Sequence, residues 1–346
     1  HSVAMKPTAV FLDTSILAGQ GYNFSSVVLS AFVPVVTAHG IHLLLPDVTE
    51  REVKRHLVSL ANEALKNLAE VRRKTPFLAK WAHYPDQRAP SNQWEARRVA
   101  FEAWEQFLKQ FEVVRLGYES IDLTQIMDWY DRSAPPFGEG KKRKEFPDAF
   151  ALASLDAYAK QHPDTCIAVV SLDDDLKTAC ERYPSLLYFK TLPRLTELLL
   201  RDDADIEKIH GAIDQNIDIL IEEIDQCVPE FEFYVRDDQF RIGQSKYAGC
   251  TIEAMQIIGI GDDECTLTFE ATIEVQHELC WMDWAYHGPE EPPEPWERQE
   301  WVIQDDYLSG IAKIRLNQEA EKIDEVLLLG FDTERFEVTQ RPRMAY

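Results

Sequence analysis

The sequence predicts an α/β N-terminal domain, a parallel sheet flanked by helices, followed by a second, strand-rich α+β domain. Three observations carry this reading. Over the first 200 residues, short apolar runs of strand length alternate with longer stretches of helical period. After Pro229 the hydrophobic period shortens to two, as in half-buried strands. The charge changes at nearly the same place: from Arg201 onward there are 12 Lys+Arg against 35 Asp+Glu, leaving 24 of 36 bases and 25 of 60 acids to the first 200 residues. With 346 residues and 45% hydrophobic content, the chain can fill two cores.

The elements of the first part follow in order. "AVFLD" (9–13), "IHLLLP" (41–46), "IAVVS" (167–171) and "LLYF" (186–189) have the length and apolar continuity of buried parallel strands. Helical period covers residues 23–38, 49–73, 94–111, 123–130, 147–161 and 176–182. Pro147 marks a helix start, because its fixed φ suits the first helical position and its missing N–H is not needed there. The boundaries are drawn at residues 5–200 for the first domain, 201–228 for a helical linker and 229–346 for the acidic domain. In the last, "FEFYVR", "TIEAMQIIGI", "CTLTFEATIEVQ", "WVIQDDYLSGIAKIRL" and "DEVLLLGF" read as strands. "GIGDDE" reads as a hairpin turn and "HGPEEPPEPWERQE" as a Pro-rich acidic loop.

Composition excludes several classes. No apolar run approaches the ~20 residues that span a bilayer, and no basic-then-apolar secretory pattern opens the chain, so a cytoplasmic protein without membrane association is expected. Six scattered cysteines without C-x-x-C pairs point to a reduced compartment. His277, Cys280 and His287 lack a standard zinc spacing.

Ligands of open α/β sheets bind beyond the carboxyl ends of the strands, so the acids there matter most. Asp13 follows the first strand, where an unpaired carboxylate is costly to bury. Asp173 and Asp175 follow "IAVV" in "SLDDDL". Asp148 falls in the first turn of the helix opened by Pro147, and Glu50 and Glu52 follow "LLLP". Each has an ordinary role available: a capping box for Thr49 and Glu52, dipole compensation for Asp148, an N-cap for Asp173 or Asp175. Converging together, they would need raised pKa values or a hard divalent cation, Mg²⁺ or Mn²⁺.

In this order, "FLDTSIL", "LPDVTEREV", "EFPDAFALASL" and "AVVSLDDDL" resemble the four acidic motifs of PIN-domain nucleases, over about residues 7–195. The resemblance implies a metal-dependent endonuclease, foremost an endoribonuclease leaving 5′-phosphate and 3′-hydroxyl ends, in a bacterial toxin–antitoxin or defence setting. By that likeness Asp13, Asp148 and Asp173 hold one or two metal ions, Glu52 and Asp175 complete the catalytic ring, and Thr14, Ser15 and Ser171 support it from behind. Glu52 is preferred to Glu50 because an apolar residue follows it. The two differ by about 200° around a helix, so both cannot face one site.

The basic run Lys141, Lys142, Arg143 and Lys144 directly precedes the Asp148 helix and would supply sequence-independent phosphate contacts to RNA, or to single-stranded DNA. Arg72, Arg73, Lys80 and Trp81 add base and aromatic character, although Phe77, Trp81 and Trp94 read first as core residues. The acidic part would repel nucleic acid. Its expected roles are intramolecular inhibition, docking of a protein partner, or homo-oligomerisation. The competing functional class is a non-catalytic PIN-like interaction protein. A phosphatase is disfavoured, because "DTS" lacks the second aspartate of aspartyl-phosphate enzymes.

Overall fold

Ala9–Leu12 is apolar on both faces and wholly buried, the signature of a central parallel strand. The computed structural model describes residues 6–85, 92–138, 140, 145–203, 205–285 and 292–342, and the chain divides into two compact units, His1–Leu199 and Leu200–Tyr346.

In the first unit the order is β1 (Ala9–Leu12), α1 (Thr14–Gly19), α2 (Val27–Ala38), β2 (His42–Pro46), α3 (Asp47–Lys74), α4 (Gln93–Leu108), β3 (Glu112–Leu116), α5 (Leu123–Asp131), α6 (Phe146–Gln161), β4 (Ile167–Val170), α7 (Asp174–Cys180), β5 (Leu186–Phe189) and α8 (Leu192–Leu200). The five strands pair in parallel in the order β3-β2-β1-β4-β5. The chain winds outward from β1 to β3 on one side and resumes on the other with β4. The switch point, where a crevice opens beyond the strand ends, therefore lies between β1 and β4. β3 was not among the expected strands: "EVVRL" is an edge strand with no buried residue, so it lacks the continuous apolar run of its neighbours.

α6 is the most deeply inserted helix. Ala149, Leu152, Ala153 and Leu155 are buried against Phe11, Ile167 and Val169 of the sheet, and the small residues allow close approach. Its first turn is fixed by aromatic contacts: the Phe146 ring lies 4.9 Å from Phe137 and 5.2 Å from Tyr130. α3 begins at Asp47 with Pro46 as its N-cap, so Thr49 sits buried inside the first turn and the expected capping box does not form. Only Thr49, Val53 and Leu57 of its 28 residues are buried. The distal turns project beyond the core, which is why Phe77, Trp81 and Trp94, expected as core, are instead 78%, 59% and 78% exposed.

The second unit contains α9 (Ile206–Gln215), α10 (Ile217–Cys227), β6 (Glu232–Tyr234), β7 (Phe240–Ile260), β8 (Glu264–Ala285), β9 (Glu294–Leu316), β10 (Ile323–Phe331) and β11 (Arg335–Glu337). An antiparallel sheet of order β10-β9-β8-β7 is joined by a parallel β11-β6 pair. The segment read as a linker is part of this unit, with α10 packed on β7 and β10. Its strands exceed expectation. Residues 294–300, expected in a loop, continue β9, because alternation with β8 runs unbroken to Glu294 opposite Ala285. β7 accommodates its 21 residues with four register shifts, the kind of irregularity that lets a long strand twist. Gly310 permits close packing: a Cβ there would stand 2.7 Å from the Phe269 ring.

Candidate metal centre

The site is assembled at the switch point from two adjacent strand ends and one helix start. Asp13 extends β1 by one ladder bond, its N–H donating to the Val170 carbonyl at 3.0 Å, so its side chain emerges where β1 and β4 stop. The residue is only 8% exposed. Its Oδ2 accepts hydrogen bonds from Ser15 Oγ at 2.5 Å and Ser171 Oγ at 2.8 Å. Those hydroxyls reach further. Ser15 Oγ accepts from Leu172 N–H and Ser171 Oγ accepts from Asp173 N–H, at 3.1 and 3.0 Å. Two serines thus tie the first acid to the backbone that presents the next. Thr14, buried, opens α1.

Asp173 is the N-cap of α7, its Oδ1 accepting from the Asp175 N–H at 2.8 Å. That leaves its other oxygen for the crevice. From the opposite side, α6 delivers Asp148 in its first turn and Glu145 at its N-cap. A spacing of three puts neighbours on one helical face. One carboxylate oxygen from each of Glu145, Asp148 and Asp173 lies within 4.8 Å of the others, all three residues being half-buried.

Electrostatics reports the crowding. Asp148 is pushed up to about 9, chiefly by burial, then by its hydrogen bond with Glu145 and by the charges of Asp13, Glu145 and Asp173. Burial also raises Asp173, with Asp175, Glu145 and Asp13 adding repulsion and the Asp175 N–H opposing them. Asp13 and Asp175 therefore stand within electrostatic reach of the inner trio.

The two glutamates of α3 face different surroundings. Glu50 accepts from Trp104 Nε1 at 3.2 Å, pairs with Arg115 and lies 3.6 Å from Lys54. Burial alone would raise its carboxyl, yet Arg115 and Trp104 hold it below the ordinary range. Glu52 is 3.8 Å from Arg55. It also acts, with Asp13, on Tyr22, whose phenol is raised first by burial and then by these two carboxylates. The Tyr22 hydroxyl and His56 Nδ1 are 2.5 Å apart, and the two rings meet edge to face. Lys141, Lys142, Arg143 and Lys144 lie outside the described residues.

Glu145 is the acid that sequence reading missed. It sits at the end of a basic run and ahead of the helix, where it looks like loop charge. Its signal was the i, i+3 spacing to Asp148 across a Pro-started helix.

The donor set fits a hard divalent cation. It offers carboxylate oxygens only, and burial together with their close gathering pushes Asp148 up to about 9 in the absence of a counter-charge. Among the described residues no helix is long and apolar enough to cross a membrane. The family model for the PIN domain matches residues 10–176, which runs from β1 into the first turn of α7 and includes all the acids described above. No curated protein and no solved structure matches the chain.

Proposed function

Starting from a PIN domain at residues 10–176, we propose that this protein is a metal-dependent endoribonuclease that hydrolyses phosphodiesters to 5′-phosphate and 3′-hydroxyl ends. The observation that carries the reading is the meeting of Glu145, Asp148 and Asp173 beside Asp13 at the β1/β4 switch point. Asp13, Asp148 and Asp173, with Glu145, hold Mg²⁺ or Mn²⁺. When bound, such an ion lowers the pKa of a water and offsets charge building on the leaving oxygen.

The chain's own residues do the rest. Ser15 and Ser171 fix the Asp13 carboxylate in one orientation, and Ser171 also holds the Asp173 backbone, so two ligands are set before substrate arrives. Asp175 and Glu52 complete the negative ring, and Glu52 with Tyr22 borders the crevice on the α3 side. Lys141 to Lys144, next to Glu145 in sequence, contact substrate phosphates without reading sequence. The exposed rings of Phe77, Trp81 and Trp94 favour unpaired over duplex RNA, because an exposed ring can stack only on a base that has left its pair. A toxin or defence role accords with such sequence-tolerant cleavage.

The test is cleavage of structured and unstructured RNA with Mn²⁺, Mg²⁺ or chelator, wild type against Asp148→Asn. Metal-dependent internal cleavage lost in the variant supports the reading. Activity confined to small phosphomonoesters, or none with either metal, overturns it.

A further inference from the structure

The second unit combines two features that seldom coexist on a protein that works alone. The first is a long open strand edge. β9 is paired along its whole length with β8, but β10 covers its other side only from Gly310 to Leu316. Among the described residues, nothing ladders with residues 294–308 on that side, leaving an edge of about 50 Å with unmatched N–H and C=O groups. The second is an apolar row beside that edge. Trp301, Ile303 and Tyr307 share one face and are 38%, 59% and 57% exposed, while Val302, Gln304 and Leu308 on the other face are buried.

The charge around this row is one-sided. Glu278 pairs across from Trp301, and Glu274 across from Asp305, in the same regular register. From Leu200 to Tyr346 the unit carries 12 Lys+Arg against 35 Asp+Glu. A nucleic acid would be repelled, and a second copy would bring two such fields together. A cation already sits on the row: the Lys246 ammonium lies 4.5 Å over the Trp301 ring.

We propose that the free edge of β9 takes an extended, Lys/Arg-rich polypeptide segment of a protein partner, added as a further antiparallel or parallel strand. Backbone hydrogen bonds to residues 294–308 supply affinity, and the one face of the added strand that meets this row, every second residue, sets basic groups against Glu274, Glu278 and Asp305 and apolar groups against Trp301, Ile303 and Tyr307. The acidic field accelerates encounter and selects the sign of the partner.

The experiment uses the full chain and a short strand-forming peptide in which every second residue, the set that forms one face, is in turn Lys and Val, with Thr at the other positions. Its Glu-for-Lys counterpart and a version N-methylated along one backbone edge serve as comparisons, with Kd read by titration calorimetry. The Lys peptide binds, N-methylation weakens it about tenfold or more, the Glu peptide does not bind, and Trp301→Ala and Ile303→Lys each weaken binding with circular dichroism unchanged. Raising salt from low to physiological weakens it further. Equal binding of the N-methylated peptide, indifference to both substitutions, or self-association by light scattering that excludes the peptide would each overturn the proposal. None of these readouts depends on cleavage activity.

Discussion

The two units use acidic residues in opposite ways. The second carries most of the chain's acid, yet much of it is spread over exposed sheet surface, where partners such as Arg335 for Glu232, Arg315 for Glu325 and Lys313 for Glu264 answer it locally. In the first unit, near neutral overall, a handful of carboxylates is brought to one crevice by strand ends and a helix start. There the Asp148 carboxyl rises to about 9, whereas in the second unit burial raises Asp306 with the Gln304 amide opposing it. Burial and convergence, and not the amount of charge, set this cluster apart as a candidate metal site, since repulsion between carboxylates grows steeply as water is excluded.

The sharpest way to break this comparison is to neutralise one acid in each unit. Asp13→Asn or Asp148→Asn is expected to lower RNA cleavage by about 100-fold or more in a gel assay, because each removes a carboxylate proposed to hold the ion. Glu274→Gln, from the more acidic unit, is expected to leave cleavage unchanged. Equal effects would erase the distinction.

Ser171→Ala sharpens it at one remove. The variant keeps every carboxylate but frees Asp13 Oδ2 and the Asp173 N–H. Metal affinity or activity should fall about 10- to 100-fold, and stability by roughly 1 kcal/mol, read by metal titration and urea unfolding.

The glutamates of α3 divide along the same line. Glu50→Ala leaves Trp104 Nε1 and Arg115 without their shared acceptor and should cost about 1–3 kcal/mol of stability in chemical denaturation. Glu52→Gln should leave the denaturation midpoint in place and reduce turnover. A reversed pattern would move the catalytic assignment to Glu50.

The smallest effect concerns pH. Asp148 is raised from an ordinary 3.8 to about 9, so the folded, metal-free protein retains a proton that the unfolded chain releases. Its contribution to stability is complete below pH about 4 and is lost as pH rises through 9. Chelator-treated wild type should therefore lose Tm across that window relative to Asp148→Asn, and Mn²⁺ should remove the difference, because the ion binds the deprotonated form.

Much of the first unit was legible, for a physical reason. Parallel strands buried on both faces write continuous apolar runs, and an acid close after such a run, immediately at Asp13 or three residues on at Asp173, stands out against the cost of burial. β3 was not legible because an edge strand needs no such run. Glu145 was hidden by the bases before it. The exposure of Trp94 and Phe77 could not be read either, since helical period says which residues share a face and not whether another element covers it. In the second unit the alternation located the strands but understated their reach, because Pro and Glu in residues 294–300 look like loop although the pairing with β8 continues through them.

Titration calorimetry of Mn²⁺ into metal-free wild type and Asp148→Asn, in two buffers of different ionisation enthalpy near neutral pH, tests the central claim most directly. Wild type is expected to bind the ion and give up close to one proton as it does so, and the variant to bind far more weakly without that release. Identical isotherms for the two proteins, with no proton released by either, would contradict it.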